Sequence, residues 1–150
     1  MPTPALTRNE QIMRHLVGTA TGGGILGSAY GVGGRVFRER AEAFQKAELP
    51  AVVVIPRRSI PNHRHATCST FRTLIVDIFL LVNGGSTSMV ADPVHASIHE
   101  IIMADRTFGG LCQDVRDGES SWSPDRGDSA PGELALSYEI DYTTTETDLS

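Results

Sequence analysis

"FRTLIVDIFLLV", residues Phe71 to Val82, is the longest regular pattern in the chain. Leu74, Val76, Ile78, Leu80 and Val82 occupy every second position. Side chains of an extended strand alternate between two faces, so these five make one unbroken apolar face. Thr73, Ile75, Asp77, Phe79 and Leu81 make the other, which is mixed rather than polar. A mixed second face predicts that something covers it, either a helix or another subunit.

Downstream of this strand, "NGGSTSM" has the composition of a loop or turn. Asp92-Pro93 predicts an N-cap followed by proline at the first helical position. Val94, Ile98, Ile101 and Ile102 then line one helical face, up to an end near Asp105. "RTFGG" predicts a turn, and Leu111 through Val115 to Trp122 a strand with imperfect alternation. "SPDRGDSAPG" is a loop of turn-formers. "ELALSYEIDY" alternates cleanly, with Leu134, Leu136, Tyr138, Ile140 and Tyr142 on one face, as in a half-buried antiparallel strand. The polar tail "TTTETDLS", 143–150, is expected to be loose.

Upstream, Thr7 and Glu10 form a T-x-x-E capping box ahead of Ile12, Met13, Leu16 and Val17, and Gly18 ends that helix. Val36-Phe37-Arg38 is a short strand candidate. "RERAEAFQKAE" predicts a short helix with Ala43, Phe44 and Ala47 inward. The β-branched run Leu49 to Ile55 predicts a buried strand closed by Pro56, and "PRRSIPNHRHATCST" an exposed loop. The whole order predicts an α+β fold: a single domain over 1–150, with a mostly antiparallel or mixed β-sheet and two main helices packed on one face.

The bulk numbers fit that expectation. A chain of 150 residues with 40% hydrophobic content is long enough to bury a core without staples. The net charge of −5 argues against a primary nucleic-acid binder. "MPTPALTRNE" has neither the basic nor the apolar region of a signal peptide. The apolar run "LIVDIFLLV" is too short to span a bilayer, so no membrane contact is expected. Cys68 and Cys112 match no zinc or redox spacing and are expected to be reduced structural thiols.

Four features invite a chemical reading. The tract "TGGGILGSAYGVGG", Thr21 to Gly34, contains G-x-G-x-x-G from Gly22 to Gly27. A dinucleotide fingerprint follows a strand and opens a helix, whereas this tract follows a helix and runs into more glycine. It is expected to be a flexible, exposed, ligand-free loop over 18–34. His95 and His99 stand four residues apart on the second helix, but a zinc site needs further ligands, and Asp92, His63 and His65 qualify only by speculation. No G-x-S-x-G and no local cysteine signature marks a nucleophile, so no enzyme activity and no cofactor is expected. Arg57, Arg58, His63, Arg64 and His65 form a basic cluster suited to an acidic partner or phosphates, or simply to solvation.

The order of these pieces is familiar as an ensemble. "FRTLIVDIFLLVNG", "DPVHASIHEIIMADRTFGGLCQDV" and "LALSYEIDYTTTETDLS", with "VFRERAEAF" and "ELPAVVV" upstream, resemble the tail terminator (minor tail, or tail-completion) proteins of long-tailed bacteriophages. The resemblance spans roughly residues 7 to 148. It implies a small α+β structural protein that forms a homo-hexameric ring, ends tail-tube polymerisation and offers a surface to the head-completion or neck proteins. It further implies a place in the virion, at the head-proximal end of the tail, after synthesis in the host cytoplasm. The partners implied are the tail tube protein, the neck protein and further copies of the chain, with no sequence-specific nucleic acid. The family carries no catalytic residues. The glycine tract is longer here than in the family's plainer pattern.

Gly22, Gly24, Gly27, Tyr30, Arg57, Arg58, His63, Arg64, His65, Ile75, Phe79 and Leu81 are the candidate subunit or partner contacts. A neck or head-completion ring protein is the alternative within the same class. A small nucleotide- or metal-binding enzyme is the alternative outside it.

Overall fold

The computed structural model describes residues 3–19, 22–62, 68–126, 130–145 and 147–150. Its centre is a five-stranded mixed sheet, with two helices packed on one face in a single α+β domain. The principal elements are α1 (Arg8–Val17), β1 (Gly18–Thr19), β2 (Gly22–Gly23), β3 (Val36–Arg38), β4 (Ala51–Asn62), β5 (Ser69–Val82), α2 (Thr87–Ala104), β6 (Asp114–Ser123) and β7 (Gly132–Thr145). The large sheet runs β3-β4-β5-β7-β6, and β1 pairs with β2 separately. Only β3 lies parallel to its neighbour, β4; every other pair is antiparallel.

β5 is the central strand, and its alternation sets the layers. Leu74, Val76, Ile78, Leu80 and Val82 are all buried, as are Leu134, Leu136, Tyr138, Ile140 and Tyr142 on β7. The register Leu74↔Ile140, Val76↔Tyr138, Ile78↔Leu136 and Leu80↔Leu134 lays the two apolar faces side by side. Ile12, Met13 and Leu16 of α1 and Ala91, Val94, Ile98 and Ile102 of α2 close over this surface. Each of the larger aliphatic side chains contributes about 1.5–3 kcal/mol by leaving water.

Helix α1 starts where its cap predicts. The Thr7 hydroxyl accepts the Glu10 N–H at 3.2 Å, and Gly18 ends the helix at φ +90°. The reciprocal half of the capping box is replaced: the Glu10 carboxylate takes Arg14 at 2.9 Å and Arg38 of β3 at 2.8 Å. That exchange ties the helix to the edge strand and holds the Glu10 carboxyl below its ordinary range, chiefly through Arg38.

Several expectations are corrected. Helix α2 begins at Thr87, not at Asp92-Pro93, so Pro93 lies inside it. The extra turn is favoured because Thr87 and Ala91 bury on the same stripe as Val94 and Ile98. "RERAEAFQKAE" does not form the expected helix; only Lys46–Glu48 makes a 3₁₀ turn, and Ala43 and Ala47 are exposed. Glu39 turns the chain at φ +52°, and Arg40, set against Phe37, Phe44 and Glu48, holds the segment in place of helical bonds. β4 is not closed by Pro56. It continues to Asn62 through a register shift at Arg57, because β3 covers only Val52 to Val54. Beyond that point β4 is an edge, where proline is tolerated. The expected loop at 56–62 is therefore strand.

The glycine segment 18–34 is corrected as well. It carries β1, β2 and a 3₁₀ turn at Ile25–Ser28, and it plants Leu26, Ala29 and Val32 in the core. The apolar residues between the glycines outweigh the freedom of the glycines themselves. The tail is likewise less loose than expected over 143–145, which extends β7 against Phe71, Thr70 and Ser69. Further on, the Leu149 carbonyl accepts the Arg8 N–H at 2.6 Å. Both cysteines are free as expected, but only Cys112 is buried; Cys68 is exposed.

Candidate functional site

Both helices lie on one face of the sheet, so among the described residues the other face carries none. Cross-strand register assembles that second face in rows. Val53, Phe79 and Ala135 form one row, with Phe37 of β3 beside Val53; Ala51, Leu81 and Glu133 form the next. This end is apolar. The far end is ionic: Arg57 meets Asp77 at 3.4 Å and Ser137 at 3.3 Å, and Arg116 meets Glu139 at 2.9 Å and the buried Asp141. Asp141 also accepts the Thr73 hydroxyl at 2.7 Å. Its carboxylate, followed by that of Glu139, raises the affinity of the Arg116 guanidinium for its proton.

A cleft of about 880 Å³ opens over the apolar end, with Val53, Phe79 and Leu81 in its floor. Residues 39–49 build one wall. Arg40 lies over the rings of Phe37 and Phe44, 4.8 and 4.2 Å from their centroids, and reaches Glu48 through both terminal nitrogens at 3.1 and 3.2 Å. The Gln45 N–H and then Arg40 hold the Glu48 carboxyl below its ordinary range. A guanidinium stacked on two rings and bound by a carboxylate fork is a rigid strut. The opposite wall includes Asp125, whose carboxylate accepts the Gly84 N–H at 2.9 Å. The cleft is an apolar trough with fixed polar rims, suited to an apolar side chain of another protein surface.

A second cleft, about 340 Å³, lies between α2 and the β6–β7 pair. His95, His99, Asp92 and Asp117 line it, and His99 Nδ1 lies 3.0 Å from the Tyr138 hydroxyl. Burial raises the Tyr138 hydroxyl to about 12. Among the described residues, no three His, Cys, Asp or Glu side chains converge as metal ligands. His63 and His65 lie outside the described residues, as does Arg64.

The remaining candidates are dispersed. Gly23, Gly24 and Gly27 border a separate hollow beside Glu10, Arg14 and Arg38, and Gly22 pairs with Thr19. The G-x-G-x-x-G run opens a four-residue 3₁₀ turn rather than an α-helix. Tyr30 is 66% exposed and donates its N–H to the Ser97 hydroxyl at 3.0 Å. Arg58 is exposed on the β4 edge. Ile75 shares a face with Phe79 and Leu81 but is only 5% exposed in the single subunit, so it has little area left for a partner. The structure thus gathers Phe79 and Leu81 into one cleft and leaves the other described candidates outside it. Phe37, Arg40, Phe44 and Val53 join the cleft without being among the candidates that the sequence offers. The interleaving of aromatic and basic residues in "FRERAEAF" was the available signal, obscured by its helix-like alanines.

The chain matches no protein-family model, and no curated protein aligns with it significantly. None of the described helices is long and apolar enough to cross a membrane.

Two histidines make stability depend on pH. Burial lowers the proton affinity of His15, which stacks on Phe108 with ring centroids 4.8 Å apart, and of His95. Both therefore bind a proton less readily folded than unfolded, where the ordinary value is 6.5. Stability is full above that value and is lost as pH falls through the folded values, since the unfolded chain then binds more protons. Urea denaturation at pH 7 and pH 5 is expected to give a lower midpoint at pH 5. Replacing His15 with glutamine should flatten that dependence.

Proposed function

We propose that this protein is a tail terminator: a ring-forming virion protein that ends growth of a bacteriophage tail tube and offers the head-proximal surface to the neck. The observation that carries this reading is the helix-free face of the sheet. Phe79 and Leu81 remain partly open there, in a rigid-walled apolar cleft. A subunit that works alone has no use for such a surface, whereas an assembly protein covers it with a neighbour or partner. The resemblance over residues 7 to 148 supplies the kind of assembly. A ring requires two different complementary surfaces per subunit, related by a rotation that closes.

The test is tail length. Particles assembled without this protein are expected to carry abnormally long tail tubes by electron microscopy, and adding it back should restore one uniform length. Tails of normal length in its absence would refute the proposal. Phe79→Asp should leave the subunit folded, since Phe79 lies outside the buried core, yet fail to restore tail length.

A further inference from the structure

The large sheet has two free edges of opposite charge. On one side, among the described residues, no strand pairs with the outer side of β4 beyond the reach of β3, from Ile55 to Pro61, and Arg57 and Arg58 are exposed there. On the other side, β6 is the terminal strand, with Asp114, Asp117 and Glu119 against the lone cation Arg116. Half of these charges are already in ion pairs within the subunit, and Asp117 faces the small cleft that His95 also lines. Arg57 binds Asp77, Asp114 binds Arg106, and Arg116 binds Glu139 and Asp141. Arg58 and Glu119 are different: each is exposed, and neither side chain has an ion-pair or hydrogen-bond partner among the described residues.

Register places these two groups two rows apart on opposite edges, Arg58 in the row of Ile75 and Glu119 beside that of Asp77. Arg58 pairs with Ile75, Ile75 with Glu139, and Glu139 with Arg116. The register then shifts between Asp117 and Ser120, and Glu119 sits within that irregularity. Bulged residues at an edge are pushed out of the ladder. A second copy displaced sideways across the strands therefore brings its basic edge to the acidic edge of the first. Pro56 and Pro61 on β4 lack the N–H groups that a continued ladder needs, so this contact is made by side chains rather than by strand addition.

We infer that the ring closes head-to-tail through these edges, with Arg58 of one copy against Glu119 of the next. The inference rests on the ring proposed above and names its subunit interface. Such a contact is heterologous, because each copy contributes one basic and one acidic edge. Like charges set against each other there would oppose assembly strongly.

The experiment is a charge swap read by sedimentation velocity and native mass spectrometry on the whole chain. The unaltered protein is expected to form rings. Arg58→Glu alone and Glu119→Arg alone should each weaken association by at least about tenfold. The double variant should regain it. Mixing the two single variants should also regain it, in rings of alternating subunits, since every junction then joins opposite charges. Both positions are exposed strand surface, and unchanged circular dichroism is expected to show that each variant folds. Rings that persist undiminished in both single variants would overturn this interface while leaving the ring itself in place. Single variants that dissociate but are restored neither by mixing nor by the double change would overturn it too. An unaltered protein that stays monomeric at all concentrations, and forms no ring on tails, would overturn both.

Discussion

Phe108→Ala is expected to destabilise the subunit by about 3–5 kcal/mol, the usual cost of emptying an aromatic site that cannot collapse. Phe108 is 1% exposed and lies in the turn after α2, stacked on His15 of α1. It is the plug that seats the turn after α2 against α1. The turn is built around it. The Asp105 carboxylate accepts the Thr107 N–H at 3.0 Å, the Thr107 hydroxyl at 2.8 Å and the Gly109 N–H at 2.8 Å. Those bonds hold the Asp105 carboxyl below its ordinary range, the Thr107 hydroxyl contributing most. They also hold Phe108 at φ +49°, a left-handed conformation that a side chain disfavours. A sharper result follows. Phe108→Gly should be no less stable than Phe108→Ala, and up to about 1 kcal/mol more stable, because glycine adopts that φ freely. Loss of the ring also opens His15 to water, so its titration followed by NMR should move up towards 6.5. A Phe108→Ala protein with an unchanged urea midpoint would refute the plug.

Gly24→Ala is expected to cost about 3 kcal/mol or more, at the upper end of overpacking effects. A Cβ at Gly24 would lie 2.2 Å from the Val17 carbonyl carbon and 2.4 Å from the Leu16 oxygen. Both are backbone atoms at the end of α1, so neither can swing aside. Gly27 stands three residues away, and a Cβ there meets nothing within 4 Å. Its φ is not left-handed, so Gly27→Ala is expected to be neutral, or stabilising by about 0.4–1 kcal/mol, through a stiffer unfolded chain. Thermal denaturation of the two variants measures the contrast directly. Equal melting temperatures would show that the tract does not pack against α1. The comparison also decides what the G-x-G-x-x-G run is for. Its middle glycine serves helix-to-turn packing, and the apolar residues that follow it serve the core.

Legibility in the sequence tracks distance along the chain. The strand faces of β5 and β7, the Thr7 cap, the Gly18 stop and the buried stripe of α2 depend on residues a few positions apart, and all were readable. Three misreadings share a different cause. The alanines of "RERAEAFQKAE" favour a helix locally, but Arg40 between Phe37 and Phe44 holds an irregular wall instead. Pro56 ends a central strand in isolation, but not one whose neighbour has already stopped. Asp92-Pro93 looks like a helix start, but Thr87 and Ala91 find burial one turn earlier. For the candidate site, Phe79 and Leu81 were legible from the mixed face of β5. The cleft that holds them was not, because its walls come from segments that only the fold brings together.

The α+β class, the longest strand with its apolar face and the placing of both helices on one face of the sheet were determined by the sequence alone. Periodic burial is a local property, and alternation over twelve residues leaves one solution. The tertiary structure decided which face stayed open, how far β4 ran as an edge, and whether the glycine tract hung loose or packed. Each of those outcomes depends on partners far away in the chain. Leu26 is buried because the core has room for it, and Gly24 is required because α1 ends against it. No pattern within the tract itself carries that information.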